Sequence, residues 1–145
     1  CFSKALQHAF DLYWNKYGIN YTDEQINFES QFQRRAPLVI DIGVGTGDST
    51  LHHAASHPEN NYLAIEVHRP GVGQLLNRIE SQQLSNIRII NHDVIEVLQN
   101  TSSQTPFDQP TLTGLDRACP GKTGSLAHRD RLGRLCRTYC RRIQA

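Results

Sequence analysis

The stretch PLVIDIGVGTGD, residues 37–48, decides the fold. Residues 38–42 are apolar except for Asp41, and glycines follow at positions 43, 45 and 47. A strand covered on both faces by helices is a near-continuous apolar run, so residues 38–42 predict a buried parallel strand. Glycine tolerates positive φ and lets a ligand come close to the backbone. We therefore expect a sharp strand-to-helix turn at the strand's carboxyl end, where open α/β sheets bind ligands.

The glycine spacing limits which ligand this turn can hold. A dinucleotide-binding loop has the pattern G-x-G-x-x-G, and after Gly43 and Gly45 its third glycine would fall at Asp48. An acid at the entrance of the helix would repel a pyrophosphate, so the loop is wrong for NAD. A P-loop is excluded here as well, because no Lys-Ser or Lys-Thr pair follows the glycines.

The pattern that remains, D-x-G-x-G-x-G from Asp41 to Gly47, resembles motif I of the class I S-adenosylmethionine-dependent methyltransferases. In that family the loop passes under the methionine part of the cofactor, and the acid at the strand end lies close to it. An ordinary glycine-rich turn of an α/β domain is the alternative interpretation.

Two further predicted strands are each followed by an acid. Residues 62–67, YLAIEV, predict a second buried strand that ends near Glu66, and residues 87–90 predict a third that is followed by Asp93. One βαβ unit separates Asp41 from Glu66, so both carboxylates are expected at one crevice. A carboxylate there can accept both hydrogens of a ribose diol. A solvated acid after a strand is the alternative.

Helices are predicted over residues 4–17, 48–57 and 72–83, and from residue 94 onward. The first has a strongly aromatic face, which we expect to pack on the sheet. Asp48 or Ser49 is expected to cap the second. Residues 20–35 predict a loop and a short helix, and Arg34 and Arg35 are expected to be solvated.

Three histidines in the second predicted helix raise the question of a metal site. His53 and His57 are four residues apart on one helical face, as in a zinc helix. The H-E-x-x-H pattern is missing, however, and no third ligand is evident. We therefore interpret them, together with His52, as surface residues and predict no metal.

The composition suits one soluble domain: the chain has 145 residues, 20% of them charged, and contains no apolar run long enough to span a bilayer. The absence of a signal-peptide pattern favours the cytoplasm. A chain that starts at Cys1 and has no methionine is expected to be a fragment. Nothing in the sequence indicates an oligomeric state.

Three segments carry a narrower pattern: SKALQHAFDLYW at residues 3–14, IEVHRPGVGQLL at 65–76 and LSNIRIINHDVIEVL at 84–98. They resemble the bacterial tRNA (guanine-N7)-methyltransferases, over roughly residues 3–108. The eight residues E-V-H-R-P-G-V-G make the resemblance specific, because no general requirement of the fold is expected to demand them.

This resemblance implies S-adenosyl-L-methionine as the cofactor and tRNA as the substrate, with methyl transfer to N7 of a guanine. It implies that Asp41, Glu66 and Asp93 bind the cofactor, with Asp93 and the backbone of Val94 at the adenine ring. The loop of Gly43, Gly45 and Gly47 holds the methionine part. The implied fold is the α/β, Rossmann-like, doubly wound and mostly parallel sheet of class I methyltransferases, with an incomplete second half.

The family pattern breaks off after residue 108. The P-D-P-W motif, whose acid would face the base, is absent from this sequence, so no catalytic residue is assigned. Residues 1–110 contain 7 Lys and Arg against 12 Asp and Glu, whereas residues 111–145 contain 8 against 2. We therefore predict two regions: residues 1–108, the cofactor-binding half of a methyltransferase domain, and residues 109–145, a divergent basic tail, non-native or disordered.

Four interpretations of the tail are open. Lys122 and Thr123 look like the end of a Walker motif, but the first glycine it requires would fall at Asp116. The arginines of the tail would suit an RNA-binding arm. Out-of-frame or otherwise non-native sequence is the interpretation we favour, because the pattern changes abruptly at one point. The fourth is a zinc site, although the intervals between its candidate ligands fit no common zinc finger; these ligands are Cys119, His128, Cys136 and Cys140.

Overall fold

A computed structural model of the chain describes residues 3–101 and 111–113. Helices and strands alternate from the first strand onward. In chain order the elements are α1 (Lys4–Tyr17), α2 (Phe28–Phe32), β1 (Leu38–Ile42), α3 (Asp48–Ser56), β2 (Asn61–Ile65), α4 (Arg69–Gln82), β3 (Ile87–Ile90), α5 (Val94–Thr101) and β4 (Thr111–Thr113).

The strands form one parallel sheet in the order β3-β2-β1-β4. The chain therefore begins in the middle of the sheet and proceeds first to one side and then to the other, which is the arrangement of a doubly wound fold. Ile42 pairs with Ile65, and Ile65 pairs with Ile90. The three strands β1, β2 and β3 thus end side by side, and the predicted doubly wound α/β architecture is confirmed.

Side chains that alternate along the strands form a separate core on each face of the sheet. On one face, Ile40 and Leu63 are fully buried and pack with apolar residues of α2 and α5. On the other face, Ala64 and Ile89 pack against α1, α3 and α4. Because both faces are covered by helices, the strands are apolar at most positions, which explains their near-continuous apolar runs. The exceptions in β1, β2 and β3 are Asp41, Asn61 and Arg88.

The aromatic face of α1 packs as predicted. Tyr17 is only 2% exposed, and its cluster includes Trp14 and residues of α4 and β3. The two helices come close at Gly73, where a Cβ atom would lie 3.0 Å from the carbonyl oxygen of Leu6. The helix ends at Gly18, as the sequence indicated.

Several predicted boundaries are wrong by a few residues. β2 ends at Ile65 because its neighbour β1 ends at Ile42, so the apolar residue Val67 is not paired with a neighbouring strand and is 65% exposed. α4 begins at Arg69 and not at residue 72, since a proline is well accommodated in the first turn. The cap of α3 is Gly47 in a left-handed conformation, so neither Asp48 nor Ser49 caps that helix.

Arg34 corrects a second expectation. Its Nε donates to Oδ1 of Asn61 at 2.7 Å, and its Nη2 donates to the carbonyl oxygens of Pro58 and Asn60, each at 2.8 Å. The side chain therefore ties the segment before β1 to the turn before β2 and is not merely solvated.

The tail is described only in part. β4 follows residue 108 and pairs with β1 from Val39 to Asp41, so a strand lies at the start of the segment predicted to diverge. The boundary at residue 108 stays a prediction. The candidate zinc ligands, the Walker-like residues and the arginine run all lie outside the described residues.

Within the described part of the chain, no helix is both long and apolar enough to cross a membrane. His52, His53 and His57 are exposed, as predicted. Residues 3–101 and 111–113 contain no group of three or more histidine, cysteine or acidic side chains that could hold a metal ion.

Glu80 ties α1 to α4 and gives a first testable prediction. Its carboxylate accepts hydrogen bonds from Lys16 Nζ at 2.8 Å and from the Tyr17 hydroxyl at 2.5 Å. The bond from Lys16, which has the larger effect, and the bond from Tyr17 hold the pKa of Glu80 below its ordinary value of 4.5.

A carboxyl group with a lowered pKa stabilises the fold above its ordinary pKa and loses that effect as the pH falls through the folded-state pKa. We expect the melting temperature to fall modestly below pH 4.5, and Glu80→Gln to flatten this dependence in thermal melts across the acidic range. The same acidic decline in both proteins would contradict this role.

A candidate cofactor site at the strand ends

The glycine loop between β1 and α3 forms the floor of the site. Gly43, Gly45 and Gly47 have φ values of 65°, 58° and 81°, in the left-handed region that favours glycine. A Cβ atom built on Gly43 or Gly45 would have no described heavy atom within 4 Å, so this part of the loop faces open space. At Gly47 a Cβ atom would lie 2.3 Å from Cδ1 of Leu75. The loop is therefore open above its first two glycines and packed against α4 below its third.

Glu66 follows β2 directly and holds this loop in place. Its side chain is buried, and Oε2 accepts the backbone N–H of Gly45 at 2.8 Å while Oε1 accepts that of His68 at 2.9 Å. An ionised carboxylate has about four acceptor positions. Two are used here, so each oxygen keeps a position for a hydroxyl donor of a ligand.

Asp41 lies at the carboxyl end of β1, and its side chain is directed to α3. Oδ2 accepts the hydroxyl of Thr50 at 2.5 Å, and Asp41 and Thr50 are 8% and 1% exposed. The buried pair attaches the helix after the glycine loop to the strand before it. The structure thus brings Asp41 to the expected edge and shows it in a role that fixes the loop.

Asp93 lies beyond β3 and is exposed. Its Oδ1 accepts the backbone N–H of Ile95 at 2.7 Å, which places the carboxylate at the start of α5, whose first residue is Val94. The side chain of Asn91 donates to the carbonyl oxygen of Glu66 at 2.7 Å. This bond holds the ends of β2 and β3 together.

The three acids therefore lie at or just beyond the carboxyl ends of three neighbouring strands, at one edge of the sheet. Asp41 and Glu66 are buried beside the glycine loop, and Asp93 is at the rim. This placement agrees with the arrangement predicted from the sequence. Contact of these residues, the glycines and Val94 with a cofactor stays a prediction.

Two structural roles were missed in the segment E-V-H-R-P-G-V-G. A Cβ atom on Gly71 would lie 2.9 Å from the carbonyl oxygen of Gly45, so α4 can approach the glycine loop only because residue 71 has no side chain. Gly73 has a similar role against α1. Close packing in this chain therefore accounts for glycine at residue 71 and favours it at residue 73. Glycine inside a helix is unfavourable by about 0.5–1 kcal/mol relative to alanine. Two glycines at the start of a helix were therefore the signal in the sequence that could have indicated close packing.

Arg78 was also missed. Its Nη1 donates to the carbonyl oxygen of Thr46 at 2.9 Å and lies 2.7 Å from Oδ1 of Asp48. The Thr46 hydroxyl donates to Oδ2 of Asp48 at 2.9 Å. Hydrogen bonds from Thr46 and then Arg78 hold the pKa of Asp48 below its ordinary value, so the acid at the entrance of α3 is ionised.

Comparison with known proteins identifies the family. Residues 35–109 match the model of a family described as "Putative methyltransferase". The tRNA (guanine-N(7)-)-methyltransferase of Hydrogenovibrio crunogenus is 49% identical over 96 residues, which cover 66% of this chain and 40% of that protein. The enzyme of the same name from Nitrosomonas eutropha is 48% identical over 107 residues, which cover 74% of this chain and 48% of that protein. The chain thus spans less than half the length of these curated relatives.

A more distant similarity is to a solved structure, Haemonchus contortus phosphoethanolamine N-methyltransferase 2 in complex with S-adenosyl-L-methionine. Its TM-score is 0.37 at 14% sequence identity, and the match covers 62% of this chain and 17% of that one. The family match spans more than half of the chain and contains the glycine loop and all three strand-end acids. The resemblance inferred from residues 65–76 and 84–98 is confirmed, and the chain belongs to this methyltransferase family.

Proposed function

We propose that this chain is the cofactor-binding half of a tRNA (guanine-N7)-methyltransferase that uses S-adenosyl-L-methionine. The observation on which the proposal mainly rests is the position of Glu66, buried at the end of β2 and bonded to the glycine loop. Relatives 48–49% identical that are named as this enzyme support the choice of tRNA as the substrate. A role in tRNA modification also favours a cytoplasmic location.

The residues at the strand ends suit a nucleoside with a sulfonium side chain. The free acceptor positions of Glu66 match the two hydroxyls of a ribose, and the open backbone at Gly43 and Gly45 leaves room for the methionine part. Asp93 and the backbone of Val94 would contact the adenine ring at the rim. Asp41 would act close to the methionine part while it anchors α3 through Thr50.

The reaction places few demands on the protein. S-adenosyl-L-methionine supplies a methyl group that is already activated on a sulfonium. N7 of guanine has an unprotonated lone pair, so no strong base is needed. Holding two reactants in line can supply on the order of 7–11 kcal/mol of the barrier. The cofactor half can therefore contribute mainly by orientation, and a carboxylate near the base would stabilise the cationic product.

A second candidate is binding without turnover by the 145-residue chain; the names of the relatives do not favour it, and it is suggested only by one feature of the sequence. The P-D-P-W motif of the resembling family is absent. The chain would then bind the cofactor or RNA and would not methylate tRNA. The third possibility, a small-molecule substrate, is not supported by the names of the relatives.

Calorimetry and a transfer assay on the full 145-residue chain test these proposals. We expect binding of S-adenosyl-L-methionine and S-adenosylhomocysteine, and weaker or undetectable binding of NAD. Radiolabelled transfer would then be measured on mixed tRNA and on small nucleophiles. Methylated tRNA would support the first candidate, and cofactor binding without methylated tRNA would support the second. Tight binding of NAD, or no binding of either sulfur nucleoside, would overturn the cofactor assignment.

A further inference from the structure

A polar triangle of Thr46, Asp48 and Arg78 joins the glycine loop to the middle of α4. Arg78 reaches the carbonyl oxygen of Thr46 and a carboxylate oxygen of Asp48 with the same nitrogen, at 2.9 and 2.7 Å. The other carboxylate oxygen of Asp48 accepts the Thr46 hydroxyl at 2.9 Å. Two of these contacts hold the second half of the loop to α4, whose apolar side chains are fully buried, and the third joins Thr46 to the start of α3.

The rest of the loop is held from the other side. The N–H of Gly43 bonds to the carbonyl oxygen of Ile65 at 2.9 Å, and that of Gly45 bonds to Glu66 at 2.8 Å. Thr46, between Gly45 and Gly47, takes part in the triangle through two groups: its carbonyl oxygen accepts from Arg78, and its hydroxyl donates to Asp48. A loop with three glycines loses much conformational freedom when it is ordered. Contacts that order it before a ligand arrives reduce the loss on binding.

The triangle also balances the negative charge of Asp48 at the start of α3. Asp48 is in the first turn of that helix, where the helix dipole favours an anion, and the Arg78 guanidinium neutralises it. The cation of Arg78 is therefore directed to Asp48.

We propose that Arg78 is a positioning residue for cofactor binding, which acts through Thr46 and Asp48 by holding the glycine loop in its binding conformation. The proposal rests on the proposed cofactor function. The described contacts of Arg78 are with Thr46 and Asp48, whereas the open space of the site lies above Gly43 and Gly45. We therefore assign Arg78 no direct contact with the cofactor.

A double-mutant cycle on the full chain tests this proposal. Arg78→Gln, Asp48→Asn and the double variant would be compared with the wild type for the Kd of S-adenosyl-L-methionine, well below the melting temperature. Both partners are at least 38% exposed, so we expect each single change to raise Kd by about two- to fivefold. The double variant should bind no worse than the weaker single variant, and Arg78→Lys should restore part of the affinity.

Further measurements separate positioning from simple stabilisation. Added salt should weaken cofactor binding by the wild type more than by the double variant, because it screens the ion pair. Lys4→Gln, which removes an exposed cation at the start of α1, should leave Kd unchanged. Unchanged Kd in Arg78→Gln, or losses that simply add in the double variant, would overturn the proposal. Failure of the wild type to bind any sulfur nucleoside would instead overturn the proposed function.

Discussion

Glu66→Ala is expected to weaken S-adenosyl-L-methionine binding by roughly tenfold to a hundredfold, because hydrogen bonds to a charged group contribute about 1.5–3 kcal/mol each. The wild-type carboxylate has acceptor positions left after it bonds to the N–H groups of Gly45 and His68. Alanine removes these positions together with the tether on the loop. Calorimetric titration of both proteins at one temperature measures the difference.

The two consequences of this substitution can be separated with a change in the ligand. A cofactor analogue that lacks the ribose 2′-hydroxyl should bind the wild type more weakly than the parent compound, but should lose little further affinity for Glu66→Ala. If the variant affected only the loop, the loss from the missing hydroxyl would be the same in both proteins. Glu24→Ala removes an exposed acid from the loop before α2 and serves as the matched control. Equal affinity of wild type and Glu66→Ala would contradict the ribose assignment.

The strands could be predicted because their signal is local. β1 and β3 have the predicted bounds, since a strand between two helical layers is apolar at nearly every position, here with Asp41 and Arg88 as the exceptions. The end of β2 could not be predicted in the same way, because it depends on where the neighbouring strand stops. Val67 is apolar and follows the strand, yet it is exposed at the rim of the site.

The site residues could be predicted because they lie at fixed positions relative to those strands. The residues that were missed act through contacts with residues elsewhere in the chain. Arg78 contacts Thr46 across 32 positions, and the Asp41–Thr50 bond depends on how α3 packs on the sheet. No periodicity in the sequence encodes such a polar pair. The hydrogen bond that Glu66 accepts from the backbone N–H of Gly45 could not be predicted for the same reason.

Gly71→Ala should have the other large effect, because it inserts a methyl group where α4 meets the glycine loop. The new Cβ would lie 2.9 Å from the Gly45 carbonyl oxygen, and this backbone atom cannot move without the loop. Overpacking of this kind typically destabilises by about 1–3 kcal/mol, against a gain of about 0.5–1 kcal/mol from replacing a helical glycine. We expect a lower melting temperature and a cofactor Kd raised by roughly tenfold, measured by thermal melts and calorimetry.

Gly73→Ala is the matched control for that variant, because it makes the same change in the same helix two residues later. Its Cβ would lie 3.0 Å from the Leu6 carbonyl oxygen, so it presses on α1 and not on the glycine loop. A small shift of α1 can relieve this contact, and the gain in helix propensity offsets part of the cost. We therefore expect Gly73→Ala to alter stability slightly and to leave the Kd of S-adenosyl-L-methionine unchanged. If both alanine variants bound the cofactor like the wild type, the close approach of α4 to the loop would not determine the shape of the site. If both lost affinity equally, the effect would arise from the helix as a whole and not from the contact with Gly45.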